Sequence, residues 1–140
     1  MGINKMNKVK EIIYHKNWNL IIVKYFPNEI CSSLSFNEAM WLTKHLVYDD
    51  MHNDANQQFG LKLVFEIKKQ FENDWEKDWK NDVFLGDLCS FLWLYDEQYI
   101  SYKAAYDKLT DPPASLLLLL AGCQEAPDPP PITEKEAESY

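Results

Sequence analysis

The chain of 140 residues carries 14 Lys plus Arg against 22 Asp plus Glu, a formal charge of −8, with 46% hydrophobic and 14% aromatic residues. That apolar content can bury a core large enough to offset the chain's ordering entropy, which excludes wholesale disorder. Every basic residue is Lys, so the planar fork of Arg is missing, and with the negative net charge this argues against nucleic-acid binding, which depends on neutralising phosphates.

Helical spacing dominates, and only four Gly occur. Val9, Ile12, Ile13 and Lys16 follow i, i+3, i+4, i+7 spacing. Asn17 interrupts, and Trp18, Ile21, Ile22, Tyr25 and Phe26 repeat the face until Pro27, where the run is expected to stop. Residues 20–23 are aliphatic enough for a buried strand, but no second strand offers itself as a partner, so helix is favoured. Ser32 and Ser33 then fall in a loop. Ser35-Phe36-Asn37-Glu38 is a capping box that opens a helix over about 36–48, with Ala39, Met40, Thr43 and Val47 inward.

After the polar break DDMHNDAN, Phe59, Leu63, Ile67 and Phe71 are spaced by four with Val64 beside them, predicting a long amphipathic helix over 54–72. It would pair with the preceding helix as an antiparallel hairpin. Residues 74–80 are charged and carry Trp75 and Trp79; residues 83–95 are nearly all apolar and are the expected centre of the core. Tyr99, Tyr102, Tyr106 and Leu109 stripe another helix that ends before Asp111-Pro112-Pro113. Pro113 suits the first turn of a helix over 114–121, with Gly122 at its C-terminal cap.

The run LLLLLAGC at 116–123 looks like a lipoprotein processing box, but it lies far from the amino end and is much shorter than the roughly 20 apolar residues of a membrane span. A buried helix is expected. Residues 126–131, APDPPP, read as a stiff connector, and Thr133-Glu134-Lys135-Glu136 as a second capping box. The expected organisation is a single α-helical domain over 1–123, followed by a connector and an acidic tail or the start of a truncated helix over 124–140. MGINKMNKVK contains no apolar targeting run, which leads to a cytoplasmic expectation without a membrane. Cys31, Cys89 and Cys123 are odd in number and widely separated, as expected of reduced structural thiols.

Few constellations carry chemistry. On a continuous helix His45, Asp49 and His52 would share a face and could converge on a divalent metal, which gives one alternative reading as a metal-dependent enzyme. The helix is expected to end near Asp49, leaving such ligands on a fraying end. Cys89 sits in an apolar run where burial makes a thiol inert. Ser32 and Ser33 lack a nucleophile elbow, and Asp96-Glu97 reads as charge near a helix N-terminus. No glycine-rich phosphate loop occurs, so neither a cofactor nor catalysis is expected.

The most suggestive feature is a surface. Asp74, Asp78 and Asp82 recur every four residues beside Trp75 and Trp79. Like charges at i, i+4 destabilise a helix, so the acidic ridge needs a reason. Indoles anchor interfaces and carboxylates steer a basic protein toward them. These five residues form the expected partner-binding site; the alternative is that both Trp pack inward and the Asp ridge is merely solvated.

The stretch from Leu85-Gly86 through Tyr99, Tyr102, Ala105, Tyr106, Leu109 and Pro112-Pro113 to Leu120-Ala121-Gly122 resembles one tetratricopeptide-like unit. That resemblance implies an all-α fold of antiparallel helix hairpins stacked in an array, and a helical-repeat scaffold or adaptor that binds a peptide in a groove. In being small, acidic and rich in Lys, Asn and Ile, the chain is also similar to bacterial immunity proteins. This implies a non-catalytic protein that neutralises a cationic toxin domain, such as a nuclease, by occlusion.

Overall fold

Local capping chemistry sets where the helices begin and end. The computed structural model describes residues 9–50 and 53–124. Among the described residues every regular element is an α-helix, nine in all. They form two compact units, one up to Asp78 and one from Trp79. The expected connector at 126–131 and the capping box at Thr133 lie outside the described residues.

In the first unit, the described part of helix α1 covers residues 9–14. Lys16, expected on the flank of this helix, instead ends it in the left-handed region at φ 54°. Its N–H donates to the Ile13 carbonyl at 2.9 Å and that of Asn17 to the Ile12 carbonyl at 3.1 Å, the bond pair of a Schellman cap. Asn17 then starts helix α2 (Trp18–Lys24), its side chain accepting from the Leu20 N–H at 3.3 Å. Residues 20–23 are helical, as favoured from the lack of a partner strand.

Helix α2 stops at Lys24 with Tyr25 extended, so Pro27 does not terminate it. Pro27 opens helix α3 (Pro27–Ser33) at its first position, where a missing N–H costs nothing. Glu29 reaches back to accept from the Phe26 N–H at 3.0 Å. Ser32 and Ser33, expected in a loop, lie on α3 and donate to the carbonyls of Asn28 and Glu29 at 2.8 and 2.9 Å.

Helix α4 (Phe36–Tyr48) has the expected capping box. Ser35 Oγ accepts from the Glu38 N–H at 3.2 Å, and Glu38 Oε1 accepts from the Ser35 N–H at 3.0 Å. Helix α5 (Asp54–Gln70) starts on Asn53, whose side chain accepts from the Asn56 N–H at 3.0 Å. The short helix α6 (Glu72–Glu76) follows. Helix α5 is the hub, packing on α2, α3, α4 and α6. Ile21, Ile30, Leu42, Leu46, Leu63, Ile67 and Trp75, one or two from each of α2 to α6, are fully buried. Each such side chain contributes roughly 1.5–3 kcal/mol over its exposed state.

The second unit opens with helix α7 (Trp79–Phe91), which starts before the apolar run. It ends in a second Schellman turn at Trp93, φ 61°, with the N–H groups of Trp93 and Leu94 donating to the carbonyls of Ser90 and Cys89. Helix α8 (Tyr95–Asp107) folds back on α7, and helix α9 (Ala114–Gln124) packs on α8. Phe84, Leu85, Leu88 and Cys89 are buried, but Trp93 and Leu94, at the end of the run expected to form the core's centre, are exposed.

Two further expectations are corrected in α9. Gly122 lies inside this helix rather than capping it, and a Cβ there would meet nothing within 4 Å. The leucine run is not a buried helix: Leu116 is buried, but Leu117 and Leu118 are 47% and 73% exposed. A helix that is apolar all round has more surface than the packing on α8 covers. Among the described residues no helix is long and apolar enough to cross a membrane.

Candidate functional site

The acidic segment 72–78 is built around one buried indole. The Phe71 N–H closes α5 on the Ile67 carbonyl at 2.8 Å, and the Trp75 N–H reaches the Phe71 carbonyl at 2.9 Å. Trp75 is 0% exposed, with the Lys68 ammonium 6.0 Å from its ring centroid. An indole buries more apolar area than almost any other side chain, so this contact pins the segment to the first unit. Glu72, Asp74, Glu76 and Asp78 remain exposed around it. Lys77 Nζ approaches Asp74 Oδ1 at 3.7 Å on the open surface, a pairing that solvent screens heavily.

The expected five-residue ridge is therefore only partly assembled. Asp74 and Asp78 are exposed as predicted, whereas Trp75 belongs to the core. The helix breaks between Glu76 and Trp79, so the i, i+4 register of the three Asp is not kept. Trp79 is half-buried in the second unit, packed with Val83 and Leu109 against the cluster of Tyr102, Ala105 and Leu116. Asp82 is buried and accepts from Lys108 Nζ at 2.5 Å, an internal ion pair rather than a surface carboxylate. Spacing alone reads both faces of such a segment alike; the apolar gain on burying Trp75 decides which one turns in.

His45 and Asp49 do meet, at the end of α4. His45 Nδ1 lies 3.1 Å from Asp49 Oδ1, and the Trp18 indole N–H donates to Asp49 Oδ2 at 3.2 Å. A carboxylate only accepts, so Nδ1 carries the proton in this contact. The imidazole is held by two indoles, stacked on Trp18 at 6.3 Å and tilted against Trp41 at 4.4 Å between centroids. His52, the third member of the candidate set, lies outside the described residues. Among the described residues no group of three His, Cys, Asp or Glu side chains is placed to hold a metal ion. None of the described Ser, Thr or Cys side chains hydrogen-bonds to His45.

Sequence spacing gave no role to Trp41, yet it lines a cavity of about 430 Å³ with Ile13, Tyr14 and Leu34, rimmed by a Lys10–Glu38 ion pair at 3.1 Å. The available signal was the Trp41-x-x-x-His45 pair, which shares a helix face but is legible as a cluster only once Trp18 from α2 joins it.

The thiols fit the structural expectation. Burial pushes Cys31 up to about 12 and Cys89 up to about 11, with the nearby carboxylates of Glu66 and Glu97 adding to the respective shifts. Asp96 and Glu97 are exposed in the first turn of α8, where the helix dipole favours them. Tyr102, buried on α8, donates its hydroxyl to Asp87 Oδ1 at 2.5 Å. Desolvation raises the Asp87 carboxyl, and the Tyr102 hydrogen bond only partly offsets it. Compared with known protein families, curated proteins and solved structures, the chain has no match.

Proposed function

We propose that this protein works by contact with another protein, as a bacterial immunity protein that occludes a cationic toxin domain. The observation that supports this reading is the exposed set Glu72, Asp74, Glu76 and Asp78, held on a segment anchored by the buried Trp75. Four carboxylates within seven residues concentrate negative potential on a face whose backbone is fixed from beneath, so a basic partner meets it without having to order the backbone. The anchoring indole is spent internally, and charge therefore carries recognition on this face.

The test is copurification from the source cells at low salt. Capture of a basic protein by the wild-type chain, lost on the fourfold change Glu72→Lys, Asp74→Lys, Glu76→Lys, Asp78→Lys and weakened by added salt, supports the reading. These side chains are exposed, so the circular dichroism spectrum of the variant should match the wild type. Capture that is indifferent to both charge reversal and salt overturns it.

A further inference from the structure

Within this acidic chain, one groove of the first unit has the opposite character. It lies between the start of α3 and the outer face of α5, encloses about 680 Å³, and is lined by Phe26, Pro27, Lys62, Phe65, Glu66 and Lys69 among others. Phe26 is 73% exposed and Phe65 45%. Lys62, Phe65, Glu66 and Lys69 stand at i, i+3, i+4 and i+7 of α5, so all four share one face. Among the described residues neither Lys62 nor Lys69 forms an ion pair, and Glu66 Oε2 is engaged by the Gln70 amide at 2.9 Å.

We propose that this groove docks an extended acidic peptide with an apolar side chain between two carboxylates. The reasoning is dimensional and electrostatic. Seven helical residues separate the two lysines by about 10 Å along α5, and Phe65 lies near the midpoint. An extended chain rises about 3.3 Å per residue and points alternate side chains the same way. Acidic residues at its first and fifth positions are therefore about 13 Å apart on one side, with the third position centred between them. The lysine stems swing far enough to close the difference of a few ångströms. The central side chain rests between Phe26 and Phe65, and each carboxylate meets one ammonium.

Charge complementarity selects this occupant over a polyphosphate. A chain of net charge −8 without Arg repels a long polyanion, whereas a short peptide with two carboxylates draws on Lys62 and Lys69, which outweigh the single carboxylate of Glu66 on the same face. This site shares no residue with the acidic segment 72–78, so the two readings stand or fall separately.

The test uses the whole chain and a fluorescein-labelled peptide, Gly-Glu-Ser-Phe-Ser-Glu-Gly, followed by fluorescence anisotropy. Saturable binding is expected, weakened about tenfold or more by Lys62→Glu with Lys69→Glu. Binding should fall similarly in Phe65→Ser and when Lys replaces both Glu of the peptide. The three substituted side chains are exposed, and an unchanged circular dichroism spectrum verifies the fold; Lys62→Gln with Lys69→Gln removes the two positive charges without adding negative ones and should weaken binding less. Absence of saturable binding, affinity indifferent to the lysine changes, or tighter binding of a single-stranded oligonucleotide than of the peptide each overturns the proposal.

Discussion

The ring of Tyr102 occupies the space where Gly86 would carry a side chain. A Cβ built on Gly86 falls well inside van der Waals contact with the ring carbons of Tyr102, which is itself buried. Gly86 is helical and has no positive φ, so the requirement for glycine here is one of room between α7 and α8 rather than of backbone conformation.

Gly86→Ala is therefore expected to destabilise the second unit. In an open helix the change would gain about 1 kcal/mol of helix propensity. Against a buried ring that cannot swing aside, overpacking costs about 1–3 kcal/mol and wins. Urea denaturation followed by tryptophan fluorescence measures the loss, and the same substitution in a Tyr102→Leu background should cost markedly less. Equal costs in both backgrounds would show that Tyr102 is not what Gly86 accommodates.

The Asp82–Lys108 pair joins the first turn of α7 to the end of α8. The carboxylate is 2% exposed and the lysine 22%. Lys108→Met removes the cation beside a buried carboxylate and is expected to cost about 2–3 kcal/mol, below the 3–5 of a fully buried pair because the lysine keeps some solvent. Changing Asp82→Asn together with Lys108→Met should recover part of that loss in the same denaturation experiment. A double variant as unstable as the single one would place the cost in lost packing of the lysine stem.

Asp87 sets a pH dependence whose sign follows from its surroundings. Burial holds its folded-state carboxyl above the ordinary carboxylate range, despite the hydroxyl that Tyr102 donates to it. A raised acid binds its proton more tightly in the folded state than in the unfolded one, so its contribution to stability declines as pH rises from the unfolded value through the folded one. Asp87→Asn keeps an acceptor for Tyr102 and removes that titration. The stability of the variant relative to wild type should accordingly improve between pH 4 and pH 7, read from urea midpoints at both; a constant difference would mean that Asp87 titrates as an ordinary surface carboxylate.

The cysteines should differ in reactivity in the folded state. Cys31 and Cys89 are buried and their thiols are pushed up to about 12 and about 11, while Cys123 is half-buried and shifted upward by desolvation alone. A chromogenic disulfide reagent at mildly alkaline pH should label one thiol per chain rapidly, and Cys123→Ser should abolish that phase. The other two should react only with denaturant. Rapid labelling of two or three thiols would contradict the burial of Cys31 and Cys89.

Short-range chemistry was readable from the chain by itself. The all-helical class follows from 3.6-residue spacing, and the start of α4 from Ser35 and Glu38, because a capping box needs only four consecutive residues. The inward face of α4, with Ala39, Met40, Thr43 and Val47, was legible for the same reason. Pro27 is ambiguous in the sequence because proline ends one helix and begins another with equal ease, and the choice rests on whether Glu29 reaches back.

Only tertiary packing decided which of two plausible faces turned inward. Trp75 and Asp82 carry the same local signals as exposed interface residues, yet one completes a core and the other meets Lys108 across 26 residues. The pairing of Trp18 with Asp49 and of Gly86 with Tyr102 likewise depends on contacts between separate helices. Burial is a property of what lies opposite, and in a chain of amphipathic helices the partner opposite each face is set by the fold, which no local spacing encodes.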